Sequence, residues 1–294
     1  MKRNIIILAF AALLYVGCDN DSKHSFIDEG VMYIEALHPS FSRVTETDFE
    51  ISDEIGVYAT EYSNEKAVPL QISGNWANNV SAVYDGTLWN TANKIFWSDN
   101  MMDVYGYYPY MQPTSIDEHV WSVQLDQSAV GSENALSGYE ASDFLWAKST
   151  AVSSADEKVE LKFSHRCSKL VVKLIKGNDY IGEFPDDSEL YIHSTVPTAT
   201  IDFTNGAVTK YVYGEMKSIK ARKLDNTTFE AIIVPQRLET TRPFLEYIAN
   251  GISYLHENTF VLKAGKKHTL ELTINSNPEQ IEVDVNGKVE NWTE

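Results

Sequence analysis

A cysteine beside a histidine can act as a catalytic nucleophile, and one segment of the chain places these two residue types close together. His165 and Cys167 lie two residues apart in the sequence VELKFSHRCSKLVVKLI, which begins at residue 159. Apolar residues alternate in this segment as they do in a β-strand, where alternate side chains share one face. We therefore predict that Cys167 is a small core residue and not a nucleophile. Its face would be shared by Val159, Leu161, Phe163 and His165.

Patterns for metal binding, phosphate binding and hydrolysis are missing from the sequence. The seven histidines lack the short spacing of zinc ligands, and no GxxxxGK(S/T), GxSxG or HExxH segment occurs. Residues 282–287 match the opening of a calcium-binding EF-hand loop, but the twelfth position is Thr293 and not a glutamate. We interpret residues 282–287 as a strand entering a turn. Asp186 and Asp187, which are neighbours in the sequence, are interpreted as solvated turn residues and not as a catalytic carboxylate pair. The sequence predicts no metal, no cofactor and no catalytic residue.

Cys18 is the other residue with potential chemistry, because it follows a segment of signal-peptide composition. Two basic residues precede an apolar run over residues 5–16, which is well short of the roughly 20 residues that a membrane-spanning helix needs. We predict that residues 1–17 are a signal peptide. Cys18 would then be acylated, by palmitate for example, as in bacterial lipoproteins, and residues 18–29 would form an acidic tether. The alternative is an ordinary signal peptide with an unmodified cysteine.

The charge of the chain restricts its partners. Its 24 basic and 42 acidic residues give a formal net charge of −18, and removal of a signal peptide that contains Lys2 and Arg3 makes the remainder more acidic. Such a chain repels the phosphates of nucleic acids, so we predict no nucleic-acid partner. It also lacks the polybasic character of proteins that bind anionic membranes.

The remaining sequence is typical of β-structure. Tyr, Phe and Trp, which favour strands, number 16, 12 and 6, and short apolar runs are separated by turn signals such as Asn205-Gly206. No long segment has apolar residues at helical spacing, so we predict an all-β protein built from β-sandwiches. A polar stretch over residues 152–158 separates two strong strand signals. We therefore predict two domains, over residues 30–157 and 158–294.

Aromatic residues cluster at strand spacing, as core and cross-strand packing requires. They could instead stack on sugar rings, which keeps glycan binding open as a function. The residues concerned are Tyr105, Tyr107, Tyr108 and Tyr110 around Pro109, together with Trp76, Trp89 and Trp97.

Several segments, taken in order, carry a resemblance to a known family. They are GVMYIEA (residues 30–36), SRVTETDFE (42–50), DEIGVYA (53–59), DVYGYYPY (103–110), DFLWAK (143–148), VELKFSH (159–165), AGKKHT (264–269) and NW (291–292). Their joint order resembles the fimbrillin family of Bacteroidales surface fimbriae. The chain departs from the family pattern at Gly106, where alanine is usual, at Cys167, and at Tyr15 in the lipidation motif.

The resemblance implies two transthyretin-like β-sandwich domains in tandem, a surface-exposed lipoprotein of the cell outer membrane, and a place in a fimbrium. It also implies partners, namely other fimbrillin subunits joined by strand exchange and a host or bacterial surface ligand. In that scheme a protease cuts behind the first strand, and a strand of the next subunit fills the exposed groove. We identify Arg43 as the candidate cut site and residues 30–36 as the displaced strand. The alternative is an uncut anchor or tip subunit in which Arg43 is a solvated loop residue.

Two other functional classes remain open at this level. One is a surface glycan-binding lipoprotein of a nutrient-uptake system, which would share the anchor and the aromatic residues. The other is a surface hydrolase, although the sequence shows no set of catalytic residues for it. We expect a structural and adhesive subunit and not an enzyme.

Overall fold

Short β-strands make up nearly all of the regular structure in the computed structural model of the chain. It describes residues 30–39, 48–132, 135–238, 243–276, 282–284 and 288–292, so that Cys18 and Arg43 lie outside the described residues. Within those ranges there is no α-helix, and one turn of 3-10 helix spans Glu140–Ser142. The prediction of an all-β protein is confirmed.

The strands up to residue 165 are β1 Ile34–Leu37, β2 Glu54–Ser63, β3 Lys66–Ala67, β4 Ala77–Tyr84, β5 Trp89–Thr91, β6 Met102–Tyr108, β7 His119–Ser122, β8 Leu145–Val152, β9 Val159–Lys162 and β10 Ser164–His165. The strands after residue 165 are β11 Ser168–Lys176, β12 Glu189–Thr195, β13 Thr198–Asp202, β14 Ala207–Lys210, β15 Lys217–Lys220, β16 Arg222–Asp225, β17 Thr228–Ile233, β18 Gln236–Leu238, β19 Leu245–Ala249, β20 Ile252–His256, β21 Phe260–Leu262, β22 Lys266–Ile274, β23 Glu282–Asp284 and β24 Val289–Asn291.

Three sheets hold most of these strands. The first has the order β10-β8-β6-β2-β4-β5, with β3 paired to β2, and the second has the order β16-β17-β11-β22-β23, with β24 paired to β22. The third has the order β15-β12-β19-β20. Smaller sheets are formed by β14-β13-β7, by β18-β21 and by β1-β9. Most pairs are antiparallel, but β11 runs parallel to β22, and β1 runs parallel to β9.

The first sheet is covered on both faces, which explains why β2 and β6 are apolar along most of their length. Val57 on β2 packs into one hydrophobic cluster, here called core N, whose members lie between Met32 and Phe163. Its neighbour Tyr58 points the other way, into a larger cluster, core C, to which strands β11 to β22 contribute most. Because successive strand residues face opposite sides, a strand between two cores must be apolar at nearly every position.

A glycine in β2 leaves space for a tyrosine ring between the two strands. A Cβ atom at Gly56 would lie 2.2 Å from Cζ of Tyr107 on β6. The Tyr107 hydroxyl is held in place, 2.5 Å from Oδ1 of Asn79 and 2.8 Å from the carbonyl oxygen of Met111. The Tyr107 ring therefore cannot move aside without losing these hydrogen bonds, and its close approach to β2 requires glycine at position 56.

The apolar run that begins at Val159 does not form one strand, in contrast to the single alternating strand that the sequence suggested. It divides into β9, β10 and β11, and the Arg166 N–H donates to the carbonyl oxygen of Phe144 between the last two. Val159 packs in core N, whereas Cys167 packs in core C. The chain passes from core N to core C here, so Val159 and Cys167 are both buried although they do not lie on one continuous strand.

Strand pairing connects the two parts of the chain on either side of residues 157–158. β1 pairs with β9, β8 with β10, and β7 with β13. The division into domains over residues 30–157 and 158–294, and their transthyretin-like form, stay predictions.

Candidate functional site

The N-terminal segment, residues 30–39, lies across the open side of core N. At its start, the Met32 N–H donates to the carbonyl oxygen of Ile95, and the Trp97 N–H donates to that of Gly30, both at 2.8 Å. Further along, β1 pairs with β9, where the Val159 N–H donates to the carbonyl oxygen of Tyr33 at 2.8 Å. The segment is therefore hydrogen-bonded to two different partners along its length.

Alternate side chains of the N-terminal segment fill core N. Met32 and Ile34 are 2% and 7% exposed, and Ala36 packs against the same cluster. Between them, Glu35 faces outward and forms an exposed ion pair with Lys158, of a kind that contributes little to stability. Burial of a side chain such as Met or Ile stabilises a fold by roughly 1.5–3 kcal/mol. The two apolar side chains therefore hold the segment in place.

β9 depends on this segment for its backbone hydrogen bonds. Among the described residues, β1 is the only strand that forms a ladder with β9. The ladder joins Ile34 to Val159 and ends with Leu37 opposite Lys162. Removal of the N-terminal segment would expose both the edge of β9 and the apolar side chains under Met32 and Ile34. Such an edge over an apolar groove is a template for another strand.

His38 lies at the point where the segment leaves the groove. Its ring packs edge-to-face on Phe49, with centroids 5.2 Å apart, and on His165, 5.8 Å apart. Burial and the nearby His165 lower the pKa of His38 to about 4, although Asp143 and Asp48 act in the opposite direction. The folded protein therefore favours the neutral form of His38.

We expect His38 to make the folded protein sensitive to mild acid. The unfolded chain has a histidine pKa near 6.5, so below that pH it binds a proton that the folded His38 does not, and stability falls as pH drops from about 6.5 towards 4. A shift from 6.5 to about 4 corresponds to at most about 3 kcal/mol. Urea unfolding at pH 7 and pH 4.5 should show a smaller loss for His38→Phe than for the native chain. Equal losses in the two proteins would contradict this.

His165 connects the N-terminal segment to the end of the chain. Its Nδ1 lies 2.9 Å from Oδ1 of Asp143, and its ring stacks on Trp292 with centroids 3.7 Å apart and an interplanar angle of 3°. Trp292 follows β24, which pairs with β22. His165 is therefore contacted by His38 near the start of the described chain and by Trp292 near its end.

A buried carboxylate lies beside this junction. Glu230 is 2% exposed, and its Oε2 lies 2.9 Å from Nζ of Lys169. Its Oε1 accepts from Nε of Arg222 at 2.9 Å and also pairs with Nη2 of that side chain. The Arg222 guanidinium lies 3.7 Å from the centroid of the Tyr139 ring. Burial would raise the pKa of Glu230, but the two cations outweigh it and hold the pKa below its ordinary value.

An open cleft of about 2140 Å³ borders both features. Its lining mixes acidic residues, such as Asp48, Glu140, Asp143, Glu230 and Glu271, with basic residues, such as Lys169, Lys173, Arg222, Lys223 and Lys267. The cleft is therefore lined by charges of both signs. The described part of the chain contains no group of three or more His, Cys, Asp or Glu side chains placed to bind a metal ion.

The residues that the sequence singled out have different outcomes. Cys167 is fully buried, and burial raises the pKa of its thiol, which does not favour a thiolate nucleophile. Asp186 is exposed, with Oδ1 accepting from Asn226. Only residues 282–284 of the candidate EF-hand segment are described, as β23. Cys18 and Arg43 lie outside the described residues, so their roles stay predictions.

Most of the aromatic residues considered for sugar stacking are core residues. Tyr105, Tyr107, Tyr108 and Trp89 are at most 9% exposed, whereas Trp76 is 45% exposed and donates from Nε1 to the carbonyl oxygen of Phe96 at 2.7 Å.

Sequence reasoning did not find the contacts of His38, Trp292 and Glu230, because these join residues far apart in the chain and no local pattern indicates them. In the described residues, no helix has the length and hydropathy needed to span a membrane.

Comparison with known proteins places this arrangement in context. Residues 42–292 match a family model described as fimbrillin-like. No curated protein matches the chain.

Solved structures from Bacteroidales share the fold. A candidate cell adhesion protein from Bacteroides uniformis aligns with a TM-score of 0.65 and 20% identity, over 90% of this chain and 99% of that one. A second, from Bacteroides ovatus, aligns with a TM-score of 0.66 and 18% identity, over 89% and 97%. The tip fimbrial protein Mfa3 from Porphyromonas gingivalis, with a C-terminal truncation, gives a TM-score of 0.50 and 10% identity over 89% and 99%. At these identities the likeness concerns the fold alone.

Proposed function

The chain belongs to the fimbrillin-like family, and from this premise we propose that it is a structural and adhesive subunit of cell-surface fimbriae. In this proposal it has no catalytic role, and its partners are other fimbrillin subunits and a surface ligand. Its two parts, residues 30–157 and 158–294, would be transthyretin-like sandwiches that share the pairing of β7 with β13. The family and the similar fold of candidate adhesion proteins support this assignment.

The observation that carries the proposal is the position of the N-terminal segment. It buries Met32 and Ile34 in core N and is the only described ladder partner of β9. We propose that it is a placeholder strand, displaced after proteolysis at Arg43 and replaced by a strand of the next subunit. An incoming strand would gain the backbone hydrogen bonds of β9 and insert alternate apolar side chains into the groove.

We propose further that the protein reaches this place as a lipoprotein. Residues 1–17 would direct export, Cys18 would carry the acyl chains, and residues 18–29 would separate the anchor from the folded part. The support is the order of basic residues, apolar run and cysteine in the sequence. A lipid anchor would hold the subunit at the outer membrane until the strand exchange joins it to a fimbrium.

Proteolysis in vitro tests the assembly step. Protein comprising residues 19–294, which lacks the lipid, is treated with an arginine-specific protease. The expected products are subunits with a new N-terminus at Val44, a ladder of SDS-resistant oligomers on gels, and filaments by electron microscopy. The matched control is Arg43→Ala, which should stay monomeric under the same treatment. Arg166 is half-buried, and its backbone N–H is bonded to Phe144 between β10 and β11, so this site should remain uncut in both proteins.

Other results would change the proposal in defined ways. Cleavage at Arg43 that leaves only monomers, or no cleavage there, would indicate an anchor or tip subunit. Native polymer whose subunits keep residues 18–43 would rule out cleavage as the assembly signal. Glycan binding is not carried forward as a second function, because Tyr105, Tyr107 and Tyr108 are buried and cannot stack on a sugar ring. Retention of the protein on insoluble polysaccharide would restore it.

A further inference from the structure

The turn between β14 and β15 exposes apolar side chains that core packing does not explain. It comprises residues 211–216, with the sequence YVYGEM. Val212 is 79% exposed, Tyr213 83% and Met216 55%. Single exposed apolar residues are normal on protein surfaces, but several within one turn indicate an interaction site. This group is here called the apolar tip.

The turn that carries the apolar tip is held by hydrogen bonds and packing. The Tyr211 N–H donates to the carbonyl oxygen of Thr198 at 2.9 Å, and the Gly214 N–H donates to that of Tyr211 at 3.1 Å. A Cβ at Gly214 would lie 2.4 Å from Cγ1 of the buried Val196, so the backbone packs directly on that side chain. The tip residues therefore point into solvent from a fixed base, with little ordering entropy left to lose on binding.

Basic residues stand on both sides of the apolar tip. Lys210 ends β14, Lys217 begins β15, and both side chains are exposed. The turn itself carries one acidic residue, Glu215. Aliphatic and aromatic side chains at a tip, with lysines at its base, suit a membrane interface, where tyrosine lies at headgroup level and lysines near the phosphates.

The distribution of charge along the chain is compatible with such a surface. Residues 158–294 contain 17 basic and 19 acidic residues, whereas residues 19–157 contain 5 and 23. The high net negative charge of the whole chain therefore comes mostly from its first part. The second part, which carries the apolar tip, is nearly neutral and is not strongly repelled by an anionic bilayer. The net charge argues against a polybasic membrane binder, but it does not argue against a small apolar contact at this place.

We propose that the apolar tip is a membrane-contact site, which inserts Val212, Tyr213 and Met216 into the interface of a lipid bilayer while Lys210 and Lys217 contact its phosphates. The site is separate from the strand groove and does not depend on strand exchange. It would add a second, reversible contact to a bilayer and so fix the orientation of the second part of the chain against it. A contact of this size is weak and reversible by itself.

A fluorescent label at the tip tests the proposal directly. In protein comprising residues 19–294, Cys167 is the only cysteine and is fully buried. Tyr213→Cys therefore gives a single accessible thiol for an environment-sensitive dye. Vesicles of phosphatidylcholine alone, and of phosphatidylcholine with phosphatidylglycerol, should shift the dye emission to the blue. A dye at Ile181→Cys, which is 91% exposed in the native chain at a different turn, should show no shift.

Vesicle co-sedimentation of unlabelled variants separates the two parts of the site. Replacement of Val212, Tyr213 and Met216 by serine should lower the partition coefficient at least about tenfold, because the apolar area available for insertion is removed. Val130→Ser with Ile181→Ser should leave it unchanged. Lys210→Glu with Lys217→Glu should weaken binding mainly to vesicles with phosphatidylglycerol, and most at low salt.

Three results would overturn the proposal. The first is no dye shift and no sedimentation with either type of vesicle. The second is vesicle binding that the serine variant retains in full. The third is self-association of the protein that the serine variant abolishes, together with no vesicle binding. The last result would assign the apolar tip to contact with a second copy of the chain. Arginine-specific cleavage and filament formation should be normal in the serine variant, so that a failure at this site is distinguishable from a failure of the assembly proposal.

Discussion

Replacement of Met32 and Ile34 together by alanine is expected to release the N-terminal segment from the body of the protein. Each substitution removes a buried side chain from core N, and losses of this kind cost about 2–5 kcal/mol each. The segment is short and lies near one end of the chain, so it can detach without unfolding core N. The expected result is therefore local opening, in which β9 loses its described ladder partner while both cores remain folded.

Hydrogen exchange measures this opening. The amides of Val159 and Phe163, which donate to carbonyl oxygens of the N-terminal segment, should lose protection in the double variant, whereas amides between β11 and β22 should keep theirs. Cleavage after Arg43 should become faster at the same protease concentration. Glu35→Ala, at an outward position of the same strand, is the control and should behave as the native chain. Unchanged exchange at Val159 in the double variant would show that the segment is not held by these two side chains.

Strands that are marked locally by a run of apolar residues were predictable. The sequence DEIGVYA is apolar from Ile55 to Ala59 and corresponds to β2, and the segment before Pro109 corresponds to β6. β12 and β19 are among the strands that were not predicted; polar residues such as His193 and Glu246 interrupt their apolar runs. These two side chains meet across the sheet, with Nε2 of His193 2.9 Å from Oε2 of Glu246. Local periodicity does not show such a partner.

The candidate site was predictable only in part, for a similar reason. The first strand could be found from the alternation that includes Met32 and Ile34, although its ladder begins at Ile34 and not at Gly30. Its partner β9 runs parallel to it and lies more than one hundred residues away in the sequence. Parallel pairs have no hairpin turn to mark them. The stacking of His165 on Trp292 is equally distant, and only the fold brings those rings together.

Glu230→Gln is expected to destabilise the protein at neutral pH by about 3–5 kcal/mol, the usual cost when one partner of a buried ion pair is removed. The amide fills nearly the same volume, but it leaves Lys169 and Arg222 without the negative charge that both contact. Lys169 has 10% of its side chain exposed, so solvation cannot replace that charge. Urea unfolding at pH 7 gives the difference in free energy, and Glu290→Gln, at an exposed ion pair of the same sheet, is the control and should leave it unchanged.

The pH dependence of that difference distinguishes an ionic effect from a packing effect. The pKa of Glu230 in the folded protein lies below its ordinary value because of the two cations, whereas in the unfolded chain a glutamate titrates near 4.3. The stabilisation is therefore fully present above about pH 4.3 and is lost as pH falls through the lower, folded pKa. The native protein and Glu230→Gln should accordingly approach equal stability in strong acid. A difference that stays the same from pH 7 to pH 3 would mean that the shape of this side chain, and not its charge, supports the packing around it.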